Sequence, residues 1–315
     1  MSLPLSRREV IKLLGTTGVG LSLYPSSLAK SPNFQTANML QRAIPATGEL
    51  LPVIGLGSWI QFDVAADSPE RSALKEVLKT LNEKGGRLID SSPMYGRSET
   101  TIGDLTHDIQ LADKFFYATK VWTKGKEEGI SQMKVSMQKM RRTKMDLIQV
   151  HNLVDWKIHI RTLERWKAEG LIRYSGITHY STSAHEDLED ILRTGVVDFV
   201  QFNYSIGVRN AESSLLKAAK DNGVAVIINE PFESGSLFSK VKGKSLPAWA
   251  ADYNIRSWAQ FFLKYILSHD AVICVIPGTS NPKHAADNME AGYGEIPDQS
   301  VRAKMAIYFD KIAKS

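Results

Sequence analysis

The chain has a single cysteine, Cys274, in 315 residues, which excludes an internal disulfide framework. That cysteine lies in the apolar run "AVICVIP" and reads as a small buried hydrophobe. There is no Cys/His cluster at metal-ligand spacing, so no metal site is expected. No uninterrupted apolar run reaches the ~20 residues that a helix needs to span a bilayer. The formal net charge is only +5, and no basic run is interleaved with aromatics. Nucleic acid is therefore a poor partner for this chain.

What is present is a regular alternation. With 43% hydrophobic and 23% charged residues, the chain can bury a large core as one or two domains. Eight short apolar runs follow one another: "LPVIGLG" (51–57), "RLIDSS" (87–92), "FFYATKV" (115–121), "DLIQVH" (146–151), "YSGITH" (174–179), "FVQFNYS" (199–205), "AVIINEP" (225–231) and "AVICVIPGT" (271–279). Runs rich in Val, Ile and Phe suit parallel strands covered on both faces. Helical stripes lie between them, such as Leu74, Val77, Leu78 and Leu81 between Pro69 and Gly85, or Leu188, Ile191 and Leu192 before Gly195. Eight β units alternating with helices predict a (β/α)8 TIM barrel, an α/β fold. A doubly wound open sheet is the alternative, but "GLGSW" has only two glycines and no helix directly after it. The preceding "AIPATGELLP" reads as an N-terminal β-hairpin closing the barrel bottom. The last helix, in "DQSVRAKMAIYFDKIAKS", carries an apolar stripe of Val301, Met305, Tyr308 and Ile312 for the barrel or for a second subunit.

Active sites of such barrels are built at the C-terminal strand ends. Strand two ends in "LIDSSPMYGRSE", with Asp90 and Tyr95; strand three supplies Lys120 in "YATKVW"; strand four ends in His151 in "LIQVHN". A phenol has a pKa near 10 and is a poor proton donor at neutral pH. A neighbouring ammonium lowers that value, so Lys120 is expected to bring Tyr95 toward the useful range. Asp90 would hold Lys120 charged, and His151 would orient a substrate oxygen. Each residue alone has a structural explanation; four at three consecutive strand ends favour carbonyl chemistry.

The segments "IPATGELLPVIGLGSW", "LIDSSPMYGRSE", "ATKVW", "DLIQVHN" and "IPGTSNPKHAADNMEA" resemble the aldo-keto reductases in order and spacing from about residue 40 to 292. The resemblance implies a TIM barrel that binds NADP(H) or NAD(H) without a Rossmann fold, and an NAD(P)H-dependent reduction of an aldehyde or ketone, or the reverse oxidation of an alcohol. It implies Tyr95 as general acid/base, tuned by Lys120, supported by Asp90, with His151 positioning the carbonyl. Gln201 looks like the family's glutamine to the nicotinamide carboxamide. Thr178 and His179 stand where the family commonly has Ser-Asn. Asn229 occupies the place of an aromatic that many relatives stack on the nicotinamide. Thr279, Ser280, Asp287 and Asn288 resemble the adenosine-phosphate contacts. Gly278 replaces a frequent lysine, and His284 replaces an arginine that often grips the 2′-phosphate, with Lys283 beside it. Trp59, Met94, Trp122, Asn152 and Trp156 are expected around the substrate pocket.

The N-terminus reads as an address. "LSRREVIKLLGTTGVGLSL" (5–23) carries Arg7-Arg8 after Ser6 and before Val10, Ile11 and Lys12. It resembles a twin-arginine (Tat) export signal, whose pattern is S-R-R-x-hydrophobic-hydrophobic-K. Ser27 and Ala29 suit a signal peptidase, while Gly15, Gly18, Gly20 and Pro25 disfavour a helix. The expected organisation is a signal at 1–29, a linker at 30–39 and the barrel at 40–315. The protein would interact with the Tat machinery, reside in the periplasm or another exported compartment, and hold its cofactor tightly or rely on a redox partner to recycle it; without a signal it would be cytoplasmic. A cofactor-binding sensor or accessory subunit of the same fold is the alternative function.

Overall fold

Each apolar run has hydrophobic residues at consecutive positions, so both faces of the strand it forms must be covered. The computed structural model describes residues 38–314. An antiparallel hairpin of β1 (Gln41–Ala43) and β2 (Leu50–Pro52) comes first. Eight parallel strands follow: β3 (Leu56–Gly57), β4 (Leu88–Asp90), β5 (Phe116–Val121), β6 (Met145–His151), β7 (Ile172–His179), β8 (Phe199–Asn203), β9 (Ala225–Asn229) and β10 (Val272–Val275). Neighbours pair in chain order from β3 to β10. Parallel bridges Ile54↔Val275 and Gly57↔Gly278 join the two ends. The result is the expected (β/α)8 barrel.

Helices surround it: α1 (Glu70–Glu83), α2 (Ser98–Asp108), α3 (Lys126–Lys139), α4 (Trp156–Ala168), α5 (His185–Leu192), α6 (Leu215–Asp221), α7 (Ser236–Lys240), α8 (Trp258–Leu267), α9 (Pro282–Glu290) and α10 (Gln299–Ala313). In α1 the expected stripe of Leu74, Val77, Leu78 and Leu81 is the buried face. None of the described helices is long and apolar enough to cross a membrane.

The strands divide their side chains between two cores. Ile89, Tyr117, Ile148, Val150, Val200 and Ile228 pack outward in the layer shared with the helices. Leu88, Phe116, Ala118, Leu147, Tyr174, Phe199, Ala225, Ile227 and Cys274 fill the barrel interior. Because side chains alternate along a strand, the inward series continues upward as Leu88–Asp90, Ala118–Lys120, Leu147–Gln149–His151 and Phe199–Gln201. The interior is thus apolar at the bottom and polar at the mouth. Gly176 serves this layer: a Cβ there would lie 2.9 Å from the Phe199 carbonyl and 3.1 Å from Cγ of Gln149.

The hairpin closes the bottom as expected, with Ile44 and Leu51 in the interior cluster. Arg42 fastens it by donating to the carbonyls of Leu267 (2.6 Å), His269 (3.0 Å) and Val272. The first strand differs from expectation. Residues 51–57 are not one strand, because Leu50–Pro52 is spent on the hairpin and only Leu56–Gly57 enters the barrel sheet. The stripe on α10 faces the barrel: Met305 and Phe309 are buried, and Val301, Tyr308 and Ile312 pack partly buried against the same core. Met39, near the start of the described residues, is buried too. The signal expected at 1–29, and with it Arg7 and Arg8, lies outside the described residues.

Candidate active site

Three strand ends bring the expected quartet together. Lys120, inward on β5, is fully buried, and its Nζ donates to Oδ2 of Asp90 at 2.6 Å and to the Ser91 carbonyl at 2.7 Å. A charge in such a place needs a partner to offset its desolvation, and Asp90 at the end of β4 supplies it. The second oxygen, Oδ1, accepts from Nε2 of Gln201 (3.0 Å) and Nε2 of Gln149 (3.2 Å). Tyr95 follows β4 through a turn in which its N–H bonds to the Ser92 carbonyl at 3.0 Å. The Lys120 ammonium lies 5.0 Å from the centroid of the Tyr95 ring. His151, at the end of β6, meets that ring edge-on with centroids 5.9 Å apart.

The charges of this group follow from burial. Burial pushes the Tyr95 phenol above its ordinary value; Lys120 opposes the rise, and Asp90 and Glu230 add to it. Lys120 pulls this pKa down as expected, but desolvation outweighs one ammonium and the net shift is upward rather than toward the useful range. Burial also works against the Lys120 charge, but Asp90 and Tyr95 together raise its pKa, so it remains an ammonium. His151 is pushed down to about 2, first by burial and then by Lys120 and His179. At neutral pH the site holds a phenol, a neutral imidazole and one ion pair.

The expected cofactor residues fall into two groups. Thr178, at the top of β7, donates from Oγ1 to Oε1 of Gln201 at 3.0 Å, so Thr178, Gln201 and Asp90 form one chain. Asn229 closes β9, and its Oδ1 is sealed from solvent without a hydrogen-bond partner. His179 turns aside. It stacks on Tyr180 (centroids 5.4 Å, planes 12° apart), and its Nδ1 accepts the Ser181 N–H at 3.0 Å. The second group surrounds the start of α9. Gly278, Ser280, Lys283 and His284 are exposed, whereas Thr279 and Asn288 are buried. Asp287 is already engaged, accepting from Ser257 Oγ (2.7 Å) and Gln260 Nε2 (2.6 Å). A Cβ on Gly278 would lie 3.6 Å from Cγ of Gln61, so the β3–α1 loop occupies the space beside it.

Around the mouth, Trp59, Met94 and Trp122 are 50%, 40% and 41% exposed, and Trp122 lies 6.5 Å from the His151 ring. Asn152 has a left-handed backbone (φ 51°) and a buried Oδ1 with no partner. Trp156 opens α4 and packs against the outer core. Gln149, Ser92 and Glu99 escape a reading of sequence motifs. Gln149 alone has a simple signal, since it stands two residues before His151 on the same strand face. Glu99 is a buried carboxyl on α2 that accepts from Thr119 Oγ1 at 2.5 Å, and burial raises its pKa.

A parallel (β/α)8 barrel thus gathers a phenol, an ammonium, a carboxylate and an imidazole at its C-terminal strand ends. The sequence profile described as the Aldo/keto reductase family matches residues 53–308, and the chain belongs to that family. It is 24% identical over 214 residues to the aldo-keto reductase YhdN of Bacillus subtilis, a match covering 63% of this chain and 64% of that protein. It is 22% identical over 297 residues to an NADH-specific methylglyoxal reductase of Escherichia coli, covering 76% of this chain and 89% of the relative. Among solved structures, an aldo-keto reductase from Klebsiella pneumoniae in complex with NADPH superposes with a TM-score of 0.71 at 20% identity, covering 86% of this chain and 96% of that one.

Proposed function

We propose that the protein is an NAD(P)H-dependent oxidoreductase that reduces an aldehyde or ketone, or oxidises the corresponding alcohol, with Tyr95 as general acid/base. The observation that carries this reading is the sealed Lys120–Asp90 pair, 2.6 Å long, beneath a protonated phenol that meets a neutral imidazole edge-on. Tyr95 gives its proton to the carbonyl oxygen. Lys120 stabilises the phenolate that remains, and Asp90 keeps Lys120 charged and in place. His151 donates a hydrogen bond to the same oxygen and fixes its approach.

The residues present fit a nicotinamide dinucleotide. The unpartnered, buried Oδ1 of Asn229 calls for a donor, and a carboxamide N–H2 is such a donor beside Thr178 and Gln201. The α9 N-terminus, with its Asn281 cap accepting the Lys283 N–H at 2.9 Å, suits a phosphate. Lys283 and His284 stand exposed on its first turn. When bound, the cofactor supplies the hydride. The Klebsiella structure with NADPH and the NADH-specific Escherichia coli relative support this choice of cofactor class. The test is consumption of NADPH with simple aldehydes, followed by nicotinamide absorbance. Tyr95→Phe is expected to keep cofactor binding and lose turnover; full activity in that variant overturns the assignment of Tyr95.

The same proposal includes export. The twin-arginine pattern of residues 5–23 suits a route that carries folded proteins, and a soluble nicotinamide cofactor is not expected outside the cytoplasm. The protein would fold around its cofactor before transport and reset it afterwards with a second substrate or a redox partner. Recovery from the cytoplasm of a mature protein that retains Arg7 and Arg8 would overturn this part.

A further inference from the structure

Ser92 is completely buried. Its Oγ lies 3.0 Å from Nδ1 of His151, a contact between two buried side chains. The same oxygen accepts the Met94 N–H at 3.3 Å, so a lone pair of the hydroxyl is already committed. Among the described residues, His151 Nδ1 is the only acceptor within reach of the hydroxyl proton. The other ring nitrogen, Nε2, has no hydrogen-bond partner among the described residues and is not among the atoms sealed from solvent. It belongs to the mouth, where the Tyr95 and Trp122 rings stand 5.9 and 6.5 Å from the imidazole.

We propose that Ser92 is a positioning residue that sets the tautomer of His151: its hydroxyl donates to Nδ1, which leaves the proton on Nε2, facing the substrate oxygen beside Tyr95. A neutral imidazole carries one proton, and the partner of one nitrogen decides where it sits. With Nε2–H outward, His151 is a hydrogen-bond donor to a carbonyl. With the proton on Nδ1, a lone pair would face the carbonyl oxygen and repel it. The ring stays neutral across the working range because burial holds its pKa far below the ordinary value. The tautomer, rather than protonation, is then what the protein must control. Ser92 sits in the β4 turn that also delivers Tyr95, through the Tyr95 N–H to Ser92 carbonyl bond of 3.0 Å. One turn therefore places the phenol and orients the imidazole.

The inference rests on the carbonyl-reductase reading for its kinetic consequence but not for the tautomer itself, and two readouts separate the two. The first is 15N NMR of the histidine ring in the full chain, with His151→Gln used to assign the resonances. The wild type should show the Nε2–H pattern, and Ser92→Ala should shift His151 toward Nδ1–H. The second is steady-state reduction of an aldehyde by NADPH. Ser92→Ala should lower kcat about tenfold, the rate equivalent of one hydrogen bond, while the dissociation constant for NADPH stays as in the wild type. Ser92→Thr, which keeps the hydroxyl, should restore both the tautomer and the rate. A wild type with Nδ1–H, or a Ser92→Ala variant with unchanged tautomer or unchanged kcat, overturns the proposal. A wild type that shows Nε2–H yet consumes no NADPH overturns the reductase reading and leaves the tautomer assignment standing.

Discussion

The Gln201 amide donates to Oδ1 of Asp90 at 3.0 Å, so the glutamine expected at the cofactor is also a support of the buried ion pair. Its other end accepts from Thr178. Replacing it by leucine removes both bonds and leaves a buried hydroxyl and a carboxylate oxygen short of a partner. Gln201→Leu should therefore cost roughly 1–3 kcal/mol of stability, or about 2–12 °C in the melting midpoint at 2–4 °C per kcal/mol. The same variant should weaken NADPH binding. An unchanged midpoint in a thermal scan would contradict the bridging role.

The Lys120–Asp90 pair predicts a rescue of stability without a rescue of activity. Removing one member leaves a buried charge unpaired, which costs roughly 3–5 kcal/mol, whereas replacing both members with neutral groups is close to neutral. Lys120→Met should be strongly destabilised. The double variant Lys120→Met/Asp90→Asn should regain most of the lost denaturation midpoint. Both should be inactive in carbonyl reduction, because the phenolate left by Tyr95 has lost its counter-charge. Denaturant unfolding beside a turnover assay separates the two effects; recovery of turnover in the double variant would refute the role of Lys120.

The directions of the two pKa shifts at the mouth define a pH profile. Burial holds the Tyr95 phenol above its usual value, so the protonated form needed for reduction persists through neutral and mildly alkaline pH. His151, lowered to about 2, does not titrate between pH 5 and 8. Reduction should be flat across that interval, with no limb near 6.5, and should decline only at strongly alkaline pH. Alcohol oxidation needs the phenolate and should instead rise with pH over the whole accessible range. Rates in both directions against pH, with NADPH and NADP, provide the check; a histidine-like limb in reduction would contradict the buried neutral imidazole.

Much of the site was legible because parallel strands end where their sequence turns from apolar to polar. "LID", "ATK" and "LIQVH" each finish in a chemical group, and the barrel gathers those ends. Gln149 and Gln201 around Asp90 were legible in principle from the two-residue period of β6 and β8. Their meeting on one oxygen depends on a register that no single strand encodes. The Ser92–His151 contact depends on the path of a turn, and Ser92 is one small polar residue among several there. The net upward shift of the Tyr95 pKa was hidden for a related reason: the neighbouring ammonium can be read from sequence, but the depth of burial cannot. The divided first segment reflects competition, since Leu50–Pro52 satisfies its backbone in the hairpin before the barrel begins.

Lys264 on α8 makes the last prediction, away from the mouth. It is fully buried, and its Nζ donates to the carbonyls of Tyr253 (2.8 Å), Tyr293 (2.8 Å) and Glu295 (2.9 Å). It thereby ties the segment before α8 to the one after α9. Lys264→Met keeps the stem but deprives three carbonyls of a donor, at a cost of roughly 3 kcal/mol. Burial lowers the ammonium from 10.5 to about 8 in the folded chain. A lysine with a depressed pKa binds fewer protons folded than unfolded between those two values, so stability from this residue rises as pH climbs from about 8 to 10.5. The midpoint difference between wild type and Lys264→Met should therefore widen from pH 7 to pH 10. Calorimetry of the two proteins at both pH values decides it, and a difference that narrows would show that the three carbonyls raise the lysine's pKa more than burial lowers it.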